Sequence, residues 1–468
     1  MNTYKKLLDN SIIFTIGNLG SKFISFILVP LYTYYLSKVE YGSIDLVMTL
    51  VSMGLPLVTL CMHEGIMRFA IDESKDLRKT VTNAFMIYGL GYLVFLLLYP
   101  VLKRINTLDS FLRYLYILIL VQGIQIILAQ LVRGMGESRV YAFNGILLSL
   151  SKGALSVLLI VVLKLGVDGF FIADILANLI SIIYLVVKLN LLKYFSFTKH
   201  DRLYAKGMLQ YSVPLIPNQL MWWLINASSR VFIRQNLGLE ANGLFAVSSK
   251  IPSFLTVFTG VFNQAWQISA IEEFDSDERE EFYSKVFTIY SSALFLLSSG
   301  VLLILKPIFK YIFEISYYNA WEPVPFLLLG AVMSALSGFI GQIYLASMET
   351  GGIFRTSAYS GIASIVGNFF LIPRFGLIGA GVSSLLSFTL MFLIRYKDIY
   401  TKIKINLDVK SWLANFFIYA LSTIILFLGL NGIMEALLII ALIIIQLVVN
   451  KASVRLLFKA GQELFKKS

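Results

Sequence analysis

Residues 170–189 read FFIADILANLISIIYLVVKL, an apolar run that holds one acidic residue, Asp174, before Lys188 near its end. A helix needs about 20 mostly apolar residues to cross the hydrocarbon core of a bilayer, so this stretch predicts a membrane-spanning helix. The whole chain shares that character, because 58% of its 468 residues are hydrophobic, 14% are charged and the mean hydropathy is +0.79. Ordinary soluble domains carry about 25% charged residues, so a water-soluble globule is excluded.

Long apolar runs recur along the chain, without the alternation that a membrane β-barrel would show. They predict an all-α polytopic membrane protein with about 14 transmembrane helices. No connection exceeds about 20 residues, so no soluble domain is expected. The predicted spans, with boundaries good to a few residues, are 11–36, 44–68, 81–102, 112–132, 141–163, 170–189, 209–236, 243–270, 285–305, 324–348, 353–373, 376–395, 411–430 and 434–450.

Basic residues are distributed unevenly over the connections between these spans. Of the 39 lysines and arginines, 26 fall on the side that holds the N-terminus and 8 on the opposite side. The positive-inside rule therefore predicts that both termini are cytoplasmic, with the largest contributions from residues 188–206, 395–410 and 451–467. The net charge of +12 is explained in this way without a nucleic-acid partner. The basic tail is interpreted as a surface helix that binds anionic lipid headgroups.

Motifs for catalysis, metals and nucleotides are scarce. Cys61 is the single cysteine, and with only His63 and His200 beside it the chain offers no disulfide and no typical metal site. No P-loop occurs, so an uphill step would depend on a Na+ or H+ gradient or on the substrate's own gradient. Asp275 and Asp277 form an Asp-x-Asp pattern, but in a short loop a solvated turn is the favoured interpretation. We predict no catalytic residue, metal or cofactor.

The sequence repeats itself at an offset of about 200 residues. Residues 70–73 (AIDE) recur as 270–273 (AIEE), and residues 36–42 align with 237–243. Apolar helices match one another by composition, but several pairs in the same order at nearly one offset favour a duplication. Each repeat then holds six spans inserted the same way up.

The duplication predicts two six-helix lobes around a central cavity, followed by two C-terminal helices. We place the N-terminal lobe at 1–200, the C-terminal lobe at 201–400, and the extra helices with the basic tail at 401–468. Rocking of two such lobes would give alternating access to the cavity.

Five basic residues fall within predicted spans 1, 5, 7 and 8. Such a residue at the middle of a span costs about 2.5 to 3.5 kcal/mol on insertion scales, so it usually faces a cavity or a partner. The chief acidic residues in the spans are Asp45, Glu64 and Asp174, too few to match them, and we expect a largely unpaired basic cavity that an anionic ligand completes. The five bases are Lys22, Lys152, Arg230, Arg234 and Lys250, of which Arg234 and Lys250 can also snorkel to the interface.

Two further charges lie at the inner end of the second predicted span. Glu64 and Arg68 are four residues apart, so a local ion pair is the simple interpretation. The alternatives are that Glu64, like Asp174, serves gating or ion coupling, and that Arg68 contacts the substrate.

Five short stretches are specific together through their order and spacing. They are 36–42 (LSKVEYG), 64–69 (EGIMRF), 133–137 (RGMGE), 211–217 (YSVPLIP) and 371–380 (LIPRFGLIGA). On these stretches the chain resembles the Wzx-type polysaccharide flippases of the multidrug/oligosaccharidyl-lipid/polysaccharide exporter superfamily, from about residue 7 to 397. Fourteen spans differ from the twelve usual in that family and agree better with the related lipid II flippases, which implies a lipid-tail groove at spans 13 and 14.

The resemblance implies a non-enzymatic function in a bacterial inner membrane. Members translocate undecaprenyl-pyrophosphate-linked oligosaccharide repeat units for surface polysaccharides such as O-antigen, lipopolysaccharide or capsule. The implied partners are that lipid-linked oligosaccharide, membrane lipids and the polysaccharide polymerase machinery. Lys22, Lys152, Arg230 and Lys250 would bind the pyrophosphate and sugars, and Arg68 would meet the headgroup on entry.

Two other functions remain open at this point. A cation-coupled multidrug exporter of the same superfamily is disfavoured, because its substrates are often cationic and the predicted cavity is basic. A membrane glycosyltransferase or polymerase using Asp275 and Asp277 is disfavoured by the short loops. Relatives also often place an acidic residue before the arginine that matches Arg230, where this chain has Ser229, which weakens a claim of ion coupling there.

Overall fold

The computed structural model describes residues 20, 24, 26–72, 75–104, 111–194, 201–274, 276–347, 350–401, 403–406 and 408–456. Within those ranges all regular secondary structure is helical. This confirms the all-α class that the apolar runs predict.

Nine helices precede residue 213. They are α1 Phe26–Tyr35, α2 Lys38–Val58, α3 Met62–Ile71, α4 Leu77–Leu97, α5 Tyr99–Lys103, α6 Leu112–Gly134, α7 Ser138–Ser156, α8 Gly166–Lys188 and α9 Arg202–Ser212, counted over the described part of the chain. A π-helical segment, Val157–Val162, extends α7.

Seven longer helices make up the rest of the described chain. They are α10 Leu215–Ser248, α11 Lys250–Glu272, α12 Arg279–Tyr311, α13 Val324–Ala346, α14 Thr350–Tyr400, α15 Val409–Phe427 and α16 Gly432–Val449.

Ten helices of the described chain are long and apolar enough to cross a membrane. α10 and α11 are not among them, and α14 counts once although it is 51 residues long. A multi-pass membrane protein is therefore confirmed, whereas the number of fourteen spans stays a prediction.

Polar side chains begin several of these helices. Ser37 and Glu40 form a reciprocal capping box at the start of α2, in which each side chain bonds the other residue's backbone N–H. Asp76, Asp201 and Asp408 accept backbone N–H groups at the starts of α4, α9 and α15. These caps satisfy donors that a helix start leaves without partners.

Two glycines interrupt the longest helices. Gly376 has φ +60° inside α14, at the boundary between the predicted spans 353–373 and 376–395. Gly238 has φ +87° inside α10. Glycine adopts this left-handed region at little cost, so the chain can change direction there. The helix continues past Gly238 to Ser248, so the predicted start of span eight at residue 243 falls within α10.

The chain divides into two compact units. The first contains Met1–Arg234 with Gly238–Ala246, and the second contains Gln235–Leu237 with Val247–Ser468. The division falls near the end of α10, later than the lobe boundary that we placed at residue 200. The three predicted domains stay a prediction.

Two glycines of the sequence repeat touch each other's helix within the first unit. A Cβ on Gly42 would lie 2.0 Å from the Leu239 carbonyl oxygen, and one on Gly243 would lie 2.0 Å from the Lys38 carbonyl oxygen. The Asn242 amide donates to the Gly42 carbonyl at 2.9 Å, and Lys38 Nζ lies 2.6 Å from Glu240 Oε1. Because residues 36–42 align with 237–243, this contact is reciprocal between equivalent positions.

Candidate functional site

Lys152 and Asp174 form an ion pair inside the first unit. Lys152 lies on α7 and Asp174 on α8, and Lys152 Nζ donates to Asp174 Oδ1. Gln122 Nε2 on α6 donates to the second carboxylate oxygen at 2.7 Å. The Asp174 side chain is buried, whereas 25% of the Lys152 side chain is exposed. The carboxylate is thus held from two sides, and only its basic partner faces open space.

Aromatic side chains form a wall beside this pair. Lys152 Nζ lies 4.9 Å from the ring centroid of Phe170, a cation–π distance. The Tyr32 ring lies 5.1 Å from Phe170 and 6.1 Å from Tyr41, between ring centroids. The Tyr32 hydroxyl lies 3.1 Å from Ser156 Oγ. Buried rings of this kind exclude water and strengthen the electrostatic attraction next to them.

Arg230 and Asp45 form a second ion pair in the first unit. Arg230 Nε on α10 donates to Asp45 Oδ2 on α2 at 2.6 Å. The guanidinium carbon lies 5.6 Å from the ring centroid of Phe245. Asp45 follows Tyr41 by one helical turn, so α2 carries both a ring of the aromatic wall and the carboxylate of the second pair. Together they give one candidate site with two bases and two carboxylates.

The expectation of a largely unpaired basic cavity is therefore wrong for Lys152 and Arg230. Each has a carboxylate partner, Asp174 and Asp45, which comes from another helix. The reason is that pairing across helices leaves no local pattern, since 22 and 185 residues separate the partners. A buried charge needs a partner, and the few acids in the spans are placed where the bases need them.

The other predicted site residues are not part of these two ion pairs. Lys22 lies outside the described residues. Lys250 begins α11 in the second unit. Arg68 is exposed on α3, and no ion pair joins it to Glu64 in the described chain. Glu64 instead lies 3.7 Å from His63 Nε2, so the local Glu64–Arg68 pair is not formed.

Polar side chains that the sequence analysis did not select extend the site along α6, α7 and α8. Gln125 Nε2 donates to Ser181 Oγ at 3.1 Å, and Ser181 Oγ donates to Asn144 Oδ1 at 2.7 Å. The Asn178 amide donates to the Asp174 carbonyl at 2.8 Å. Amide side chains within apolar spans are the sequence signal that marks these residues. Burying an amide group costs free energy unless it is hydrogen-bonded, so such residues indicate a polar site.

Arg395 on α14 corrects another interpretation of the sequence. We counted it among the bases of a cytoplasmic connection, but it is only 1% exposed. Its guanidinium donates to Thr356 Oγ1 at 2.9 Å, to the Ser337 carbonyl at 2.9 Å and to Ser357 Oγ at 3.1 Å. Gly341 lies beside it, where a Cβ would come within 3.1 Å of Nη1. Neutral groups thus enclose this arginine in the second unit.

A third interior pair connects α12 with the C-terminal helices. Lys306 Nζ donates to Glu435 Oε2 on α16 and to the Leu426 carbonyl at the end of α15, both at 2.6 Å. The same ammonium lies 4.8 Å from the Trp321 ring centroid. Lys306 follows directly after the predicted span 285–305, so the sequence does not mark it as an interior base.

An ion pair outside the predicted spans connects the start of α9 with α4. Asp201 Oδ2 accepts from Lys79 Nζ at 2.8 Å. That hydrogen bond, together with the backbone N–H groups at the start of α9, lowers the pKa of the Asp201 carboxyl. Asp277 is exposed in a turn, and Asp275 lies outside the described residues. No group of three or more metal-ligating side chains occurs in the described ranges.

Comparisons with known proteins agree with this architecture. A family model described as polysaccharide biosynthesis protein matches residues 7–267. No curated protein matches the sequence. Among solved structures, the inward-facing form of a multidrug resistance MATE family transporter of the MOP superfamily matches with TM-score 0.67 and 14% identity, over 83% of this chain and 94% of that one.

Two other solved structures are similar in fold. Lipid II flippase MurJ, in an inward closed conformation, matches with TM-score 0.66 and 12% identity, over 96% of this chain and 100% of that one. A MOP superfamily transporter from Pyrococcus furiosus matches with TM-score 0.60 and 12% identity, over 84% and 96% of the two chains. At these identities the likeness shows a shared fold.

Proposed function

We propose that this chain, which belongs to the polysaccharide biosynthesis protein family, is a flippase for undecaprenyl-pyrophosphate-linked oligosaccharide repeat units. The substrate would cross a bacterial inner membrane from the inner to the outer leaflet, with both termini of the protein cytoplasmic. Its product would enter the synthesis of a surface polysaccharide of the O-antigen, lipopolysaccharide or capsule type, next to the polymerase machinery. No catalytic step is required.

The observation that carries the proposal is the Lys152–Asp174 pair. A pyrophosphate offers Lys152 the same charge-assisted hydrogen bonds that Asp174 supplies in its absence. Because Lys152 is partly exposed and Asp174 is buried, the base can turn to the substrate while the carboxylate stays in place. Arg230, Lys22 and Lys250 would be further basic contacts, and Arg68 would meet the headgroup at the entrance.

This exchange provides a route to ion coupling. Once Lys152 turns to the substrate, Asp174 keeps only the Gln122 amide and the surrounding helices. An uncompensated buried carboxylate is costly, so it would take up a proton or Na+ until the lysine returns. Asp174 is therefore our main candidate for coupling, and Glu64 is the second candidate for gating.

Alternating access requires a contact that can open on the outer side. The reciprocal contact of Gly42 and Gly243 lies at the predicted outer ends of α2 and of the segment after Gly238. It joins equivalent parts of the two sequence repeats through backbone atoms and the Lys38–Glu240 ion pair. Release to the outer side would break this contact.

A second candidate function is cation-coupled multidrug export. The observation in its favour is that Asp45 and Asp174 bring two carboxylates to the site, which attract cations. Against it, each carboxylate is already neutralised by a base of the protein. Loss of cationic dye export in an Asp174→Asn variant that still exports glycan would support this function.

The test is mass spectrometry of lipid-linked intermediates in a deletion strain complemented with variants. We expect the deletion to trap the complete repeat unit on the inner leaflet and wild-type protein to clear it. A Lys22→Gln/Lys152→Gln double variant should retain the trapped intermediate, whereas Lys103→Gln, an exposed base outside the site, should behave as wild type. Clearance by the double variant at the wild-type rate would refute the basic site. Accumulation of an incomplete repeat unit would instead indicate a glycosyltransferase or polymerase.

A further inference from the structure

A cavity of about 410 Å³ lies in the first unit between α2, α4, α5 and α6. All of its lining residues are apolar, including Leu50, Leu57, Val94, Leu98 and Ile119. Pockets of roughly 300 to 1,000 Å³ are the size range in which proteins bind small molecules and cofactors. This pocket lacks the polar groups that usually orient such ligands.

Glycines shape the cavity by bringing helices together around it. A Cβ on Gly91 would lie 2.1 Å from the Val58 carbonyl oxygen, so α4 contacts α2 through backbone atoms. A Cβ on Gly54 would lie 2.8 Å from Ile119 Cδ1 on α6. Both glycines belong to the lining, where any other residue would place a side chain. The cavity therefore depends on glycine at these two positions and on the close approach of α2 and α4.

The surroundings of the cavity decide what fills it. It lies along two membrane-spanning helices, α2 and α4, and its lining residues Leu57 and Val94 are exposed. Leu90 and Leu93, on the same helix as Val94, are exposed as well. A water molecule needs two or more polar partners, which this lining does not offer. An empty cavity would lose the dispersion contacts that its lining atoms could make. Hydrocarbon is the medium that fits.

α6 connects the cavity with the ion-pair site. Ile119 lines the cavity, and Gln122, three residues later, holds Asp174. The rise between the two positions is about 4.5 Å along the helix. A lipid-linked anion bound at Lys152 would therefore have an apolar pocket within reach of its chain.

We propose that this cavity binds the isoprenoid chain of the lipid-linked substrate while its pyrophosphate occupies the ion-pair site. The proposal rests on the proposed function and adds a second contact, separate from the headgroup. It also places the isoprenoid chain in the first unit, whereas the family resemblance implied a lipid-tail groove at spans 13 and 14. Substrate recognition would then depend on the distance between head and chain as well as on charge.

Photoaffinity labelling tests the site with the purified full-length chain in phosphatidylethanolamine vesicles. The probe is a polyprenyl phosphate that carries a benzophenone on its isoprenoid chain, and labelled peptides are identified by mass spectrometry. We expect labels on α2, α4 and α6, and at least a fivefold loss of label in Val94→Trp, which fills the cavity. Leu90→Trp is the matched control, because Leu90 is 63% exposed against 62% for Val94 and does not line the cavity. Leu57→Trp is a second filling variant if Val94→Trp is not monodisperse.

Competition identifies the source of the chain. Excess undecaprenyl phosphate should abolish the label, and excess phosphatidylglycerol should leave it unchanged. Equal competition by phosphatidylglycerol would overturn the proposal, since the cavity would then hold acyl chains of bulk lipid. Labels confined to α15 and α16 would overturn it as well.

Failure of this site and failure of the proposed function give different results. If cavity labelling is lost only in the filling variants but the Lys22→Gln/Lys152→Gln variant still clears the repeat unit, the chain site stands and the basic headgroup site fails. If the wild-type protein does not clear the repeat unit from the deletion strain, the proposed function fails whatever the labelling shows. If the double variant is blocked while Val94→Trp labels as wild type, the chain site alone fails.

Discussion

The interior bases of the two units differ in what surrounds them. Lys152 in the first unit has a buried acid on one side and open space on the other, with a quarter of its side chain exposed. Lys306 in the second unit is enclosed by Glu435, a helix-terminal carbonyl and a tryptophan ring, and its side chain is 17% exposed. Arg395 has no open side at all.

This difference separates a base that can exchange its protein partner for a ligand from bases whose contacts are fixed. The donors of Arg395 are engaged by Ser337, Thr356 and Ser357, so a ligand has nothing left to bind. Lys306 joins the ends of α15 and α16 to α12 and has a structural role there. Of these three bases, Lys152 combines a strong partner with access, which is what an anion-exchanging site requires.

The largest effect is expected from Lys152→Met. Loss of about 3 kcal/mol of charge-assisted bonding to the substrate corresponds to roughly a 100-fold fall in export. The measurement is the rate at which lipid-linked intermediates are cleared in complemented cells. The Lys152→Met/Asp174→Asn double variant should recover stability without recovering export, because the buried charge is removed but the substrate contact is not restored.

Lys306→Met/Glu435→Leu is the control from the second unit. It replaces a fixed pair by apolar groups, which is often neutral for stability, so export should remain near wild type. Equal loss of export in both double variants would show that the two pairs do not differ in function.

Arg395→Lys should lower the free energy of unfolding by about 2 kcal/mol. Lysine cannot reproduce the planar fork that reaches three acceptors, and some of these would be left buried without partners. Thermal unfolding of the detergent-purified protein measures the effect, with Arg355→Lys as the control because Arg355 is exposed and donates to Asp398 at 3.0 Å. Export per folded molecule should not change, and a selective loss of export would place Arg395 in the transport pathway.

Gly42→Ala and Gly243→Ala should have similar effects, about 1 to 2 kcal/mol each in stability. A methyl group at either position meets a carbonyl oxygen at 2.0 Å, so the backbones must separate. Gly89→Ala is the control, because a Cβ there has no neighbour within 4 Å. The thermal midpoint of each variant measures the cost. A large effect at one glycine and none at the other would contradict the reciprocity of the contact.

The smallest effect is expected from Asp201→Asn. The lowered pKa of Asp201 means that its charged form stabilises the protein above the unfolded value of about 3.9, and that this contribution disappears as the pH falls through the folded pKa. The variant should be slightly less stable than wild type at pH 7, and the difference should shrink as the pH falls below the unfolded pKa. Thermal midpoints across this range test the sign, with exposed Asp277→Asn as the control. A difference that grows on acidification would contradict the assignment.

Much of the fold follows from patterns that the sequence displays directly. Apolar runs about 20 residues long predict spanning helices because the bilayer sets their length, and the break at Gly376 falls where a span boundary was predicted. The kink at Gly238 likewise falls within the predicted connection between spans 209–236 and 243–270.

The same reasoning from the sequence predicts the bases of the candidate site but not their acidic partners. Lys152 and Arg230 stand out because a base in a span is costly, but their partners Asp174 and Asp45 are set by helix packing, which no local pattern records. The same limit explains Arg395, which looks like one more base at the end of a span. Its burial depends on Gly341 from another helix.

The reciprocal glycine contact has an evolutionary consequence. In a symmetric homodimer, residue i of one subunit touches residue j of the other, and j touches i. Gly42 against Leu239 and Gly243 against Lys38 have this relation within one polypeptide. We infer that the ancestor was a half-length protein that paired with its own copy around a two-fold axis through this point. The Lys38–Glu240 ion pair has no counterpart in this symmetry, because the equivalent positions hold Leu239 and Val39.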